Sequence, residues 1–366
     1  MTAPFPDTPG TSPAHVVVRL RPKANARAIR RGYPWIYANE LVTDRRTKKL
    51  KPGTVALLED DARNPLGLVA VNPLSKIICR MLDRDASATI NQAWLETHLE
   101  KALLTRRRMF RDPFYRLVHA EADGLPGVVI DRFGDIVVIQ PNAAWAEVLL
   151  PELTAAVQRV TGAQSILKNA SGRTRSLEGL DDQNAILAGS APASPIPVPM
   201  NGATYMADLT GGQKTGLFYD QRPNHAFAAS LANGARVLDV FSHVGGFSLA
   251  ALGAGAKSAL AVDAARPALA LAEAGAKAMG MAERFEIRQG DAFDALTELR
   301  DEGAQFDMVI CDPPAFAPSK PALDAGLRAY ERVARLAAPL VSSTGMPICT
   351  GNIGSARSAT NRDHPG

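Results

Sequence analysis

Four places in the second half of the sequence carry residues suited to holding a nucleoside. The run "RVLDVF" gives way to Ser242, His243, Val244, Gly245, Gly246 and Phe247. A glycine pair there lets the backbone turn sharply and approach a ligand, and the helix that follows offers free N–H groups. The next apolar run, "SALAVDA", ends near Asp263, where a carboxylate can accept both hydroxyls of a ribose. "RFEIRQ" leads into "GDAFDA", whose Asp291 and Ala292 can meet an adenine amine and ring. The fourth run, "FDMVICD", continues as "CDPPAF", in which two prolines stiffen the chain after Asp312. The loop "FSHVGGF" lacks the G-x-G-x-x-G pattern, so a pyrophosphate has no cradle and a phosphate-free nucleoside fits better than a dinucleotide.

Such residues need a frame that brings them together. From Ala235 onward, short runs with the pattern of strands buried on both faces alternate with helical segments, which predicts a parallel, doubly wound α/β sheet. In that fold ligands sit beyond the carboxyl ends of the strands, where the strand order reverses, and all four places fall there. Upstream the pattern is different. "VVVRLRP", "GTVALLEDD", "PLGLVAVNP" and "KIICRMLDRD" are short apolar runs cut by Pro, Gly and Asn, which predicts a small β-rich domain over 15–88. "INQAWLETHLEKALLTRRRMFR" then changes period and places Ile90, Trp94, His98, Ala102 and Leu103 near one face of a connecting helix. A central α/β unit follows over 89–200. In it, "GVVIDRFGDIVVIQP" reads as two strands joined by a Phe-Gly turn, "AEVLLPELTAAVQRV" as one helix despite its Pro, and "SILKNA" as a strand. "GSAPASPIPVP" reads as a linker, and a helix is expected near Pro223 to Leu231.

The 366 residues exceed what one typical core can organise, so two or three domains are expected. Hydrophobic residues at 46% and charged residues at 21% match a soluble globular chain, and no apolar run has the length of a membrane span. Residues 1–14 read as a disordered leader and not a signal peptide, which points to the cytoplasm. Cys79, Cys311 and Cys349 are too dispersed for a zinc site or a disulfide framework, and no metal is expected. The net charge of +4 hides an asymmetry: Arg19, Arg21, Lys23, Arg27, Arg30, Arg31, Arg45, Arg46, Lys48, Lys49 and Lys51 face only Glu40 and Asp44. That segment is either the footprint of a polyanion or a solvated basic face. Lys168, Arg173 and Arg175 fit phosphate contacts or a solvated loop equally. Trp35 and Tyr37 could stack on bases, with a core role favoured for Trp35. His119 and His243 have no partner acid or thiol at telling spacing and read as hydrogen-bonded loop residues.

In order and spacing, "LDVFSHVGGFSLAALGAGA", Asp263, "GDAF" and "DPPAF" resemble the successive motifs of class I S-adenosylmethionine-dependent methyltransferases, and "GQKTGLFYDQR" resembles the upstream motif of their ribosomal-RNA subgroup. "GYPWIYANEL", "HAEADGLPGVVIDRFGD" and "LEGL" extend the resemblance to the bacterial PUA-containing large-subunit rRNA cytosine-C5 methyltransferases, from about residue 15 to 345. The resemblance implies a PUA-like RNA-binding domain over 15–88, the central domain over 89–200 and a Rossmann-like cofactor-binding domain over 201–345. It also implies S-adenosylmethionine as cofactor and ribosomal RNA as partner. On it, Lys214, Thr215, Asp220 and Gln221 line the methionine end of the cofactor, with Phe241, Ser242, Gly245 and Gly246 beneath. Asp263 meets the ribose, Asp291 the adenine, and Asp312 faces the target base.

Methylating carbon 5 of cytosine requires a thiolate to add to carbon 6, because the ring carbon is not nucleophilic before that adduct forms. The family carries this cysteine in a Ser-Cys-Ser. Here Cys349 lies on about the right strand, while the best register puts the family's cysteine near Asn352. Residues 346–366 read as an atypical, incomplete C-terminus: beyond Cys349 there is no aliphatic run able to supply a final helix and two strands, so the expectation is a shortened sheet with an open edge. Such an edge favours association, a homodimer included. Two other readings stay open: a methyltransferase of a base nitrogen in RNA, and a catalytically silent RNA-binding relic.

Overall fold

The computed structural model describes residues 15–211, 216–317 and 320–349, and the chain divides after Ala191 into two compact units. The first unit opens with a five-stranded sheet in the order Val16–Arg19, Thr54–Glu59, Pro65–Val71, Cys79–Asp83, Trp35–Ile36. Its alternating residues Val18, Ala56, Leu58, Val69 and Val71 meet Leu20, Ile36 and Leu41 in one core. The helix Gln92–Met109 starts where Asn91 accepts the N–H of Trp94, and it buries Trp94, Leu95, Leu99, Ala102 and Leu103 at helical spacing.

A second five-stranded sheet follows, ordered Ala185–Ala188, Ser165–Lys168, Ile136–Pro141, Val128–Phe133, Phe114–His119. Two details differ from expectation. Phe133 belongs to the strand and pairs with Ile136, so the turn is Gly134-Asp135, with Gly134 at φ +67°. The Pro-containing segment forms two helices, Ala144–Val148 and Leu150–Thr161. Pro151 has no N–H to donate and sits in the first turn of the second helix, where none is needed.

The second unit begins with a hairpin, Ile196–Met200 against Ala203–Ala207, where a linker was expected. Pro197 and Pro199 alternate, and a strand with one neighbour tolerates this because every second N–H points away from the partner. The remainder is the expected α/β sheet of five parallel strands, ordered Phe285–Gln289, Ser258–Asp263, Arg236–Val240, Phe306–Cys311, Val341–Cys349. Helices Gly246–Gly253, Arg266–Ala278, Ala292–Asp301 and Leu323–Ala337 connect them. The order reverses beside Arg236–Val240, which opens a crevice between the carboxyl ends of that strand and Phe306–Cys311. Leu238, Val240, Val262, Leu296, Val309, Cys311 and Val333 share a core on one face. Among the described residues, Val341–Cys349 is an outermost strand of this sheet, and no helix is long and apolar enough to cross a membrane.

Candidate functional site

The turn after Arg236–Val240 is built from unusual backbone. Phe241, His243 and Gly245 have φ of +66°, +50° and +77°, a left-handed region that non-glycine residues seldom adopt. What holds Phe241 and His243 there is a set of local bonds. Ser242 N–H donates to the Val262 carbonyl at 3.0 Å, His243 N–H to Asp263 Oδ2 at 2.8 Å, and Gly245 N–H to the Ser242 carbonyl at 2.9 Å. Asp263 Oδ1 accepts the N–H of Ala265 at 2.8 Å. Each oxygen of Asp263 therefore holds one backbone donor and keeps acceptor capacity for a ligand hydroxyl.

Beneath the turn lies Asp239, fully buried, with Oδ2 accepting the Ser248 N–H at 2.9 Å. Its Oδ1 has no hydrogen-bond partner, and neither has the buried Ser242 Oγ. Burial pushes the Asp239 carboxyl up to about 7. Orphaned buried polar atoms are rare in protein interiors, and here two fall at the end of one strand and in the turn that follows it. They fit a cofactor carrying a cationic amine. Asp239 is not among the site residues expected from the sequence, although one signal is present there: a carboxylate inside the otherwise apolar strand "RVLDVF".

The two glycines differ in what they accommodate. A Cβ on Gly246 would lie 2.6 Å from His225 Nε2, so this glycine makes room for a buried imidazole. Burial lowers His225 to about 4, which keeps the ring neutral. Tyr205 locks the same place by donating from its hydroxyl to the Gly246 carbonyl at 3.0 Å. At Gly245 the positive φ disfavours a side chain, and a Cβ would come within 3.0 Å of Ala272 Cβ.

The remaining acids sit at neighbouring strand ends. Asp291 caps the helix Ala292–Asp301, its Oδ1 accepting from Phe293 N–H at 2.9 Å and Asp294 N–H at 3.4 Å. Asp312 donates its backbone N–H to the Val240 carbonyl at 3.2 Å, and its Oδ2 accepts from Gln221 Nε2 at 3.0 Å. The structure thus brings Gln221 to Asp312. Asp220, beside it in the short turn Tyr219–Gln221, is exposed and lends its charge to His225. Lys214 and Thr215 lie outside the described residues. Phe241 meets Phe316 edge-on at 6.2 Å, so the "DPPAF" loop and the glycine turn share an aromatic contact.

Cys349 is exposed and stands in register with the buried Cys311 on the adjacent strand, one residue before Asp312. A hydrogen bond from the Cys311 thiol lowers Cys349 to about 6, while the same pairing and burial push Cys311 up. Asn352 lies outside the described residues. In the first unit, Lys168 and Arg175 are neither phosphate contacts nor solvated: they are 8% and 1% exposed and share Glu147 as ion-pair partner. Trp35 is half-buried rather than core, its Nε1 donating to Glu121 at 2.8 Å. His243 takes its loop role through the Asp263 bond and an edge-on contact with Phe218 at 4.9 Å.

Residues 18–84 match the PUA-like domain, and residues 159–356 match the S-adenosylmethionine-dependent methyltransferase family. The chain is 34% identical over 337 residues to ribosomal RNA large subunit methyltransferase I of Photobacterium profundum, covering 90% of this chain and 84% of that protein. The protein of the same name from Vibrio cholerae is 33% identical over 329 residues, covering 88% and 82%. Among solved structures, a chain from Streptococcus mutans described as a SAM-dependent methyltransferase shares the fold with a TM-score of 0.77 at 23% identity, covering 92% of this chain and 86% of that one. A methyltransferase solved in complex with SAH gives a TM-score of 0.77 at 22% identity, covering 94% and 88%.

Proposed function

The chain belongs to the S-adenosylmethionine-dependent methyltransferase family, and from that we propose that it methylates a base of large-subunit ribosomal RNA, with carbon 5 of a cytosine as acceptor. The observation that carries this reading is that Asp263 and Asp312 stand at the carboxyl ends of the two strands flanking Arg236–Val240, where the sheet order reverses, with Cys349 on the strand that adjoins Phe306–Cys311. When bound, S-adenosylmethionine supplies an electrophilic methyl group carried on a sulfonium.

The chain's own residues do the rest. Asp263 uses its remaining lone pairs for the ribose hydroxyls, and Asp291 uses its second oxygen for the adenine amine. Asp239 Oδ1 and Ser242 Oγ take the methionine ammonium, with Lys214, Thr215, Asp220 and Gln221 toward the methionine end and Phe241, Gly245 and Gly246 shaping the floor. Asp312, steadied by Gln221, accepts a hydrogen bond from the cytosine amine. Cys349 adds as a thiolate to carbon 6, which gives carbon 5 the electron density to take a methyl group. Loss of the carbon 5 proton then expels the thiolate and restores the ring. A hydrogen bond from Cys311 shifts Cys349 toward its thiolate form. The basic segment over 19–51, within the stretch matching a PUA-like domain, supplies the electrostatic contact to the RNA backbone. The names of the relatives favour the large-subunit RNA.

One observation favours a second reading. Cys349 is paired with Cys311, a core residue, and not with Asp312. Transfer to a base nitrogen would use Asp312 and require no nucleophile. Tritiated methyl transfer to undermodified ribosomal RNA, with the product nucleoside identified, separates the two. The expected product is 5-methylcytidine, falling at least about a hundredfold in Cys349→Ser, consistent with loss of covalent catalysis. A base-nitrogen product made equally well by Cys349→Ser would overturn the cytosine-C5 assignment.

A further inference from the structure

We propose that Tyr33, Trp35 and Tyr37, with Arg84 beside them, form a stacking site for unpaired RNA bases. The inference rests on RNA being the substrate and adds which form of RNA the first unit grips. These three aromatic residues alternate along the chain around the strand Trp35–Ile36, so they share a face while Ile36 points the other way into the core with no exposure. All three are half-buried. The Tyr33 and Trp35 rings meet edge-on at 6.4 Å, and the Tyr33 and Tyr37 hydroxyls lie 3.5 Å apart. The cluster is held before any ligand arrives. Trp35 Nε1 donates to Glu121, which also accepts from Arg80 NH1 at 3.2 Å, so the indole cannot swing freely.

A guanidinium is built into the edge of this face. Gly32 has φ +111°, and a Cβ there would lie 2.6 Å from Arg84 NH2, so the missing side chain lets Arg84 lie against the backbone next to Tyr33. Arg84 is exposed, as are Lys23, Arg27 and Arg31 just upstream. An apolar peptide would find these charges unhelpful, whereas a nucleotide matches both halves: phosphates meet the cations and base faces meet the rings. Duplex RNA keeps its base faces stacked inside the helix, so only unpaired nucleotides offer them.

The test uses the full chain and a built-in reporter. Of its three tryptophans, Trp94 is 9% and Trp145 1% exposed, which leaves Trp35 as the one a base can quench. Titration with a short oligouridylate should quench tryptophan fluorescence, and a duplex of the same length should not. In anisotropy measurements with labelled RNA, Trp35→Leu should weaken single-strand affinity about five- to a hundredfold, the range of a lost aromatic stack. The slope of log affinity against log salt should stay unchanged, because no phosphate contact is removed. Trp35→Phe should retain most of the affinity. Binding without quenching, equal affinity for duplex, a flattened salt slope in Trp35→Leu, or unaltered affinity in that variant would each overturn the site. Its fate is separable from that of the proposed activity. A chain that stacks single strands but transfers no methyl group refutes only the activity, and methyl transfer without quenching refutes only the site.

Discussion

Lys168 and Arg175 in the first unit and Asp239 in the second are all charged residues taken out of water, but their surroundings are opposite. Arg175 directs every nitrogen of its guanidinium to an acceptor: Nε to the Asp181 carbonyl at 2.7 Å, NH1 to Glu147 Oε2 at 2.8 Å and to the Pro141 carbonyl, and NH2 to Asp181 Oδ1 at 3.3 Å. Lys168 completes the same cluster through Glu147 Oε1. Asp239 accepts from the Ser248 N–H through Oδ2, while its Oδ1 has no partner. A satisfied buried network holds loops and strands in a single arrangement. An unsatisfied one stores binding capacity at a cost in stability. The contrast separates charges that are fully paired within the fold from one that is not, and it can be broken by substitution.

The largest effect is expected from Glu147→Ala. It leaves Lys168 and Arg175 buried with only Asp181 opposite, and removing one member of such a cluster costs about 3 kcal/mol or more. Chemical denaturation should show the loss, with cofactor affinity of the folded fraction unchanged. A neutral result would mean that the cluster is better solvated than its burial indicates.

Asp239→Asn should act in the reverse direction on the two properties. The folded-state carboxyl stands at about 7 against an ordinary 3.8, so the proton is held more tightly in the folded chain. The stability contributed by neutral Asp239 is complete below about pH 4 and is lost as pH rises through 7. At about 1.4 kcal/mol per unit, ionisation opposes folding by up to about 4 kcal/mol at pH 8. The amide keeps an acceptor for Ser248 and never ionises, so this variant should be more stable than the parent at pH 8, by a smaller margin of about 1–2 kcal/mol at pH 5, and similar only near pH 4. It should also bind S-adenosylmethionine more weakly and lose the parent's gain in affinity between pH 6 and 8. Calorimetry at three pH values reads both. If affinity is unchanged across that range, the orphaned oxygen has no part in binding.

The smallest effect tests packing against ligand contact at the glycine pair. Gly246→Ala places a methyl against His225 and should cost roughly 1–3 kcal/mol as an overpacked core position. His225→Ala opens space at the same place, so the double variant should lose less than the two single losses added together. Additive losses in a double-mutant cycle would show that the methyl meets something other than the imidazole.

The alternation of buried runs and helical segments after Ala235 was enough to derive the parallel sheet, because strand and helix periods are local properties of the chain. The same holds for the positions of Asp263, Asp291 and Asp312, which follow once each run is known to end at the carboxyl side of one sheet. Lys168 and Arg175 were not legible: a basic residue reads as solvated until its partner is known, and Glu147 approaches from a helix well separated in sequence. For the same reason Gln221 could not be joined to Asp312, nor Cys349 to Cys311. Both pairings depend on strand register and on how a loop folds over a sheet edge, and neither leaves a periodic trace. At Asp239 the residue type was visible, but its meaning was decided in three dimensions, where burial removes water from both oxygens and the fold returns a donor to only one.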